Sequence, residues 1–257
     1  KIITLNLWHD LKGLPNQSDL RRSSTRVRRS RTSSSGQKKG GGRRRRSKTR
    51  RPQSRRRKIT IEDRQKNGLK MIVKIIQDRK PDIIGFQECS KKTLIHICNM
   101  LLLDPQNHIS WSSLRKNCHK RYGVGIISFF PIKKLYENKN KKIGLNGFGI
   151  LIHLDDKTKL RYFNVHLNWR PYGPKLINTT SPDECVKRTY NAMGKDMIDI
   201  LHNLVNHKNN DIDSITLLGG DFNIPSHLDW TEETKHLHFD SVVKWPVSEL
   251  LEKEDFI

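Results

Sequence analysis

Ser214-Ile-Thr-Leu-Leu218 is a short apolar run that leads directly into Gly219-Gly-Asp-Phe-Asn223. The run reads as a buried strand, and it delivers two polar side chains, Asp221 and Asn223, at its end. Two glycines followed by Asp-x-Asn are also an ordinary turn composition. The stretch therefore has to be read against the other strand ends of the chain.

The same arrangement recurs upstream. Lys1-Ile-Ile-Thr-Leu-Asn-Leu7 is a β-rich segment closed by Asn6. Asp82-Ile-Ile-Gly-Phe-Gln87 reads as a second short buried strand, followed by Glu88. Residues 160–167 form a third, with His166 at its end in Phe163-Asn-Val-His-Leu-Asn168. Further strand-like runs fall at 122–128 and 148–154. Between them the apolar period changes to that of helices. Leu69, Ile72, Val73 and Ile76 share one face, and Pro81 ends that helix. Leu94, Ile95, Cys98, Leu101 and Leu102 mark a second helix. A long helix is expected from Pro182, with Asp183 and Glu184 in its first turn and Ile198, Leu201, Leu204 and Val205 on its apolar face. Trp245-Pro-Val-Ser-Glu-Leu-Leu251 is a last helix with Pro near its start. Strands and helices interleave, which predicts an α/β layered domain.

Charge is distributed unevenly. The 257 residues carry 50 Lys and Arg against 26 Asp and Glu, a formal net charge of +24. Nineteen of those basic residues, and no acid, lie in 21–58, which is otherwise Ser, Gly and other small or polar residues with Val27 its one aliphatic. That segment repels itself and has nothing to bury, so a disordered insert within a single domain is expected. The remainder is only mildly basic. Cys89, Cys98, Cys118 and Cys185 show no CxxC spacing, which argues against a disulfide scaffold or a structural zinc site and for reduced, buried thiols. No apolar run approaches the roughly 18 residues of a membrane span. The chain opens on a strand without Met. A soluble protein of the nucleus or cytoplasm is the favoured expectation, and a trimmed secretory leader stays open.

Polar groups at the ends of buried strands are where α/β folds often place ligand sites. Here the set is two carboxylates, an imidazole and two amides: Glu88, Asp221, His166, Asn6 and Asn223. Each has an ordinary structural reading by itself. Together they match a hard cation such as Mg²⁺, which takes oxygen ligands and keeps several waters, so one or two carboxylates suffice. Phosphoester hydrolysis needs such a metal, an oriented water and donors for developing negative charge. Trp8, Trp169, Arg170 and Tyr172 could line a substrate cleft, with Arg gripping phosphate and an aromatic ring stacking on a base. The spacing of His9, Asp10, His227 and Asp229 follows no standard metal pattern.

Five segments in this order resemble the endonuclease/exonuclease/phosphatase superfamily, the deoxyribonuclease I-like fold. They are Thr4-Leu-Asn-Leu-Trp8; Asp82-Ile-Ile-Gly-Phe-Gln-Glu88; Tyr122-Gly-Val-Gly-Ile-Ile-Ser128 with Phe130-Pro-Ile132; Asn164-Val-His-Leu167; and Leu217-Leu-Gly-Gly-Asp-Phe-Asn223. Ser226-His-Leu-Asp-Trp-Thr231, Trp245-Pro-Val-Ser248 and Pro171-Tyr-Gly-Pro174 place the chain nearer a poorly defined metal-dependent hydrolase branch than the repair nucleases. The resemblance implies a four-layer α/β/β/α sandwich of two mixed β-sheets, using Mg²⁺ or Mn²⁺ on a phosphoester substrate, nucleic acid among the candidates. It implies Glu88 and Asn6 at the metal and His166 donating to the scissile phosphate. Asp221 would orient or deprotonate water, and Asn223 would hold a phosphate oxygen or the nucleophile. Arg170 and Tyr172 would touch substrate. The family pattern continues into a further Asp-containing strand and an Asp-His pair. The chain stops at Ile257, so the resemblance implies a domain incomplete at its C-terminus and inactive by itself. The competing expectation is a catalytically incomplete protein that binds RNA or another polyanion through the basic insert, or an insert that serves as a nuclear-localisation signal.

Overall fold

The computed structural model describes residues 1–7, 60–113, 122–134, 147–155, 157–194, 197–198 and 214–256. The basic segment 21–58, Trp8, Cys118 and the expected helix positions Leu201, Leu204 and Val205 lie outside them. Among the described residues, eight strands form two four-stranded sheets. The first contains β1 (Ile2–Asn6), β2 (Ile83–Cys89), β3 (Ile109–Ser113) and β4 (Gly123–Ser128), in the order β1-β2-β4-β3. The second contains β5 (Ile132–Lys134), β6 (Gly147–His153), β7 (Lys159–His166) and β8 (Ser214–Asp221), in the order β5-β6-β7-β8. In each sheet one edge pair is parallel, β1 with β2 and β7 with β8, and the other pairings are antiparallel.

The period-2 pattern of β2 explains the layering. Ile83 packs with Ile126, Ile150, Ile152, Leu160 and Tyr162 in the core between the sheets. Ile84 and Phe86 point the other way, onto α1 (Ile61–Arg79) and α2 (Lys91–Met100), where they meet Ile72, Val73, Ile76, Leu94 and Ile97. β7 repeats the device. Its Phe163 and Val165 face Met193 and Met197 and, on the final long helix, Val247 and Leu251. The result is a helix–sheet–sheet–helix sandwich of two mixed sheets. Phe86, fully buried, is one side chain on which the first outer layer depends; truncation to Ala costs about 3–5 kcal/mol at such sites.

Helix ends follow local rules. Thr60 and Asp63 form a reciprocal capping box at the start of α1. A short turn of helix, α3 (Pro105–His108), precedes β3; α4 (Gly173–Leu176) and α5 (Pro182–Thr189) follow β7; and α6 (Pro246–Lys253) closes the described chain. The helix from Pro182 is regular only to Thr189 and then widens into a π-turn over Tyr190–Gly194. In α2 the buried positions are Leu94, Ile97 and Cys98. Leu102 lies beyond the helix end at φ 60 and is exposed, because the chain has already turned out of the helical face. Among the described residues β8 is an edge strand rather than a buried one. Paired only with β7 among the described residues, it leaves Ile215 54% and Leu217 38% exposed. Cys89, Cys98 and Cys185 are buried thiols; burial, with Asp104 nearby, pushes the Cys98 thiol up to about 11. No described helix is long and apolar enough to cross a membrane.

Candidate active site

Parallel pairing fixes where the polar strand ends go. Asn6 is the register partner of Gln87, next to Glu88, and His166 is the partner of Asp221. Both parallel pairs end at the same edge of the sandwich, so four side chains from two sheets converge. Asn6 Nδ2 donates to Asp221 Oδ2 at 2.7 Å, across the sheets, and reaches Glu88 Oε1 at 3.4 Å. His166 Nε2 stands 3.9 Å from Glu88 Oε1 and 3.9 Å from Asp221 Oδ2.

Two backbone features aim these groups. β2 does not merely end before Glu88. The strand runs to Cys89 with a register shift, since Phe86 pairs with Gly125 and Cys89 with Gly123. Glu88, at φ 53, sits in that bulge, and the extra residue turns its side chain out of the strand's regular alternation toward Asn6 and His166. β8 likewise extends through Asp221 rather than stopping at Leu218. Gly220 has φ 139, and a Cβ there would stand 2.1 Å from Val165 O, so only glycine fits this close approach just before the carboxylate.

Asp221 is held from behind. The Asn223 main-chain N–H donates to Asp221 Oδ1 at 2.9 Å, and Asn223 Nδ2 donates to Leu167 O at 2.9 Å. Asn223 itself has φ 53, a region that Asn tolerates better than most residues. Thr4, Asn6, Gln87, Tyr172, Asp221 and Asn223, with the 222–225 segment, line an open cleft of about 530 Å³. Arg170 is not among the lining residues; its guanidinium lies over the Trp169 ring, 4.2 Å from the centroid, an arrangement that cation–π attraction favours.

Beneath the site lies a polar network that sequence reasoning did not single out. Gln87 Nε2 donates to Asn164 Oδ1 at 2.6 Å and to Thr4 Oγ1 at 2.9 Å. Asn164 Nδ2 donates to Phe86 O at 3.0 Å and Gly125 O at 2.8 Å. Both amides are buried. The signal was available: each is a polar residue at the inward phase of an otherwise apolar strand, and a buried amide is kept only where it is hydrogen-bonded.

The profile of the Endonuclease/Exonuclease/phosphatase family matches residues 61–248, well over half of the chain. The chain belongs to the endonuclease/exonuclease/phosphatase family. Uncharacterized protein F14F9.5 of Caenorhabditis elegans is 29% identical over 196 residues, 74% of this chain and 59% of its own length, so the chain spans about three fifths of that relative. Among solved structures, truncated Caenorhabditis elegans TDP2 is similar at 18% identity, over 62% of this chain and 56% of that one, with a TM-score of 0.40. ANGEL2, a 2',3'-cyclic phosphatase solved in complex with adenosine-2',3'-vanadate, is 16% identical over 65% of this chain and 46% of its own, with a TM-score of 0.39. A functionally unknown conserved protein from Enterococcus faecalis V583 is 13% identical over 66% and 62%, with a TM-score of 0.41.

Among the described residues, no three His, Cys, Asp or Glu gather as a ligand set. The groups at the converging point are two carboxylates, the His166 imidazole and the amide of Asn6, whose end-over-end rotation would present its oxygen. Its oxygen donors fit a hard cation that retains several waters. Like charges converging on one point are also stabilised by a cation between them.

Proposed function

We propose that the chain is a metal-dependent phosphoester hydrolase that uses Mg²⁺, or Mn²⁺ in its place. The observation that carries this reading is the convergence of Asn6, Glu88, His166 and Asp221 from the C-terminal ends of two parallel strand pairs in different sheets. Glu88 and Asn6 would hold the cation, which when bound supplies Lewis-acid stabilisation of phosphoryl charge. The remaining work falls to the chain's own groups. Asp221, oriented by the Asn223 N–H on one oxygen, orients water and accepts its proton. His166, in reach of both carboxylates, donates a hydrogen bond to the scissile phosphate. Asn223 acts first by holding Asp221, since its Nδ2 is engaged with Leu167 O; its carbonyl oxygen remains for the nucleophile. Tyr172 bounds the cleft in which the substrate's organic group sits.

The test is steady-state hydrolysis of bis(4-nitrophenyl) phosphate with Mg²⁺ and with chelator. Glu88→Gln and Asp221→Asn should each lower kcat by about 10²- to 10⁴-fold, with circular dichroism and thermal unfolding little changed. Cleavage that survives both substitutions, or that is indifferent to chelation, would overturn the assignment.

A further inference from the structure

A second cluster of polar side chains lies away from the converging carboxylates. His227 Nδ1 is 2.8 Å from Ser248 Oγ, and its Nε2 is 3.0 Å from Glu252 Oε2. The His227 main-chain N–H also donates to Ser248 Oγ, at 2.8 Å, and that hydroxyl donates to Trp245 O at 3.2 Å. A carboxylate only accepts, so Nε2 carries a hydrogen. With the hydroxyl turned to Trp245 O, Nδ1 donates; with it turned to Nδ1, that nitrogen accepts. In either arrangement the ring bridges Ser248 and Glu252, one turn apart on α6.

The bridge has the form of a serine–histidine–glutamate nucleophile centre but not the access. Ser248 is buried, and its oxygen already accepts from the His227 main chain. What the bridge does is tie a short segment at both ends. The segment starts at Asp221, whose carbonyl accepts from Leu167 N at 2.9 Å. It ends at His227. Between them, Phe222, Asn223, Ile224 and Pro225 form one wall of the cleft. The same end of α6 supports the facing wall. A Cβ on Gly173 would stand 2.4 Å from the Trp245 ring, so Trp245 packs directly against the residue after Tyr172. Trp230 meets Trp245 edge-on, with centroids 5.1 Å apart.

We infer that His227 is a positioning residue: by joining Ser248 and Glu252 it fixes the Ile224–Pro225 part of the wall and sets how tightly the cleft holds its substrate, while Asn223, held by its own bonds to Asp221 and Leu167 O, keeps the rate of the chemical step independent of it. The inference rests on the phosphoester-hydrolase reading for its kinetic consequence and on the hydrogen bonds alone for its structural one. His227→Phe keeps a ring and loses both bonds. His227→Asn can restore the bond to Ser248, and His227→Gln the bond to Glu252. The Glu252 carboxylate is 53% exposed, so its pairing is screened and contributes less. The Ser248 bond is part-buried.

The experiment uses the full chain, with bis(4-nitrophenyl) phosphate and Mg²⁺ for kinetics and amide hydrogen exchange as an activity-independent readout. For His227→Phe, KM should rise about 5- to 30-fold, the range for loss of one or two kcal/mol, with kcat within about twofold. Exchange of the Ile224, Ser226 and His227 amides should quicken by a similar factor while β1, β2 and the Asn223 amide stay unchanged. His227→Asn should recover most of the effect and His227→Gln less. A fall in kcat at constant KM, faster exchange across both sheets, or no recovery in His227→Asn overturns the inference. If the unsubstituted chain does not cleave the probe, the exchange comparison alone decides the inference. Should His227→Phe not fold, Ser248→Ala deletes the same bond and is read by the same outcomes.

Discussion

Asn164→Leu is the sharpest test of how the two sheets are held in register. Asn164 sits on β7, yet its Nδ2 donates to Phe86 O on β2 and Gly125 O on β4, and its Oδ1 accepts from Gln87 Nε2. Leucine has nearly the same volume and none of these bonds. Two buried carbonyls lose a donor, and Gln87 keeps only its bond to Thr4. A buried polar group left unsatisfied costs about 1–3 kcal/mol; with Gln87 partly compensated, the sum is roughly 3–5 kcal/mol. That is a large share of the 5–15 kcal/mol typical of a domain. Urea unfolding followed by tryptophan fluorescence should show the midpoint falling at an unchanged slope. The double substitution with Gln87→Leu should cost about 1–2 kcal/mol less than the two singles together, since each leucine removes the group the other would strand. A loss below about 1 kcal/mol for Asn164→Leu, or strict additivity in the cycle, would show that the amide does not join the sheets.

Other outcomes can be checked on the same protein. Gly220→Ala should destabilise by more than about 2 kcal/mol, because φ 139 excludes a side chain and a Cβ would stand 2.1 Å from Val165 O; thermal unfolding within a degree of the parent contradicts this. Burial pushes the Tyr162 phenol up to about 12 from 10.0, so the fold favours the neutral form: its contribution is whole below pH 10 and is lost as pH rises through about 12, by roughly 3 kcal/mol. Tyr162→Phe should be near neutral at pH 7, since the hydroxyl has no hydrogen-bond partner among the described residues, and should unfold less readily than the parent above pH 10; identical pH profiles refute the assignment. If residues 21–58 bind polyanions, deleting them removes nineteen basic groups, and RNA affinity that falls steeply with salt should vanish while Mg²⁺-dependent hydrolysis persists.

Sequence was most informative where one local rule decided the outcome. The 3.6-residue spacing of Leu69, Ile72, Val73 and Ile76 placed α1 on its core, and the apolar run 82–87 placed β2. It was least informative where two elements had to be known together. The bulge that turns Glu88 toward Asn6 exists only in the pairing of β2 with β4. Ile215 and Leu217 read as buried, because a β-branched apolar strand looks the same at an edge as in the middle of a sheet; their exposure depends on what pairs with β8. Strands β3 and β5 went unread, since Ile109-Ser-Trp-Ser-Ser113 and Ile132-Lys-Lys134 are too short or too polar to stand out from loops. Asn6, Glu88, His166 and Asp221 were legible as strand-end polar groups. Their mutual distances were not.

Those distances follow from a repeated plan. Each sheet has a parallel edge pair followed by antiparallel strands, β1-β2-β4-β3 and, in mirror order, β8-β7-β6-β5. A parallel pair places two strand ends side by side, so each sheet can offer two neighbouring polar groups, Asn6 with Glu88 and His166 with Asp221. Neither pair alone brings two carboxylates, an imidazole and an amide to one point. The site forms only when the sheets stack face to face, and it then depends on a registry that no strand encodes by itself. Apolar packing between Ile83, Ile126, Ile150 and Tyr162 resists separation but is weakly directional and tolerates a small slide. Hydrogen bonds are directional, and those linking Asn164 to Gln87, Phe86 O and Gly125 O admit one offset. That gives a physical reason for burying two amides directly beneath the converging side chains, where apolar side chains would pack as well but would leave the distance between Asp221 and Asn6 unset.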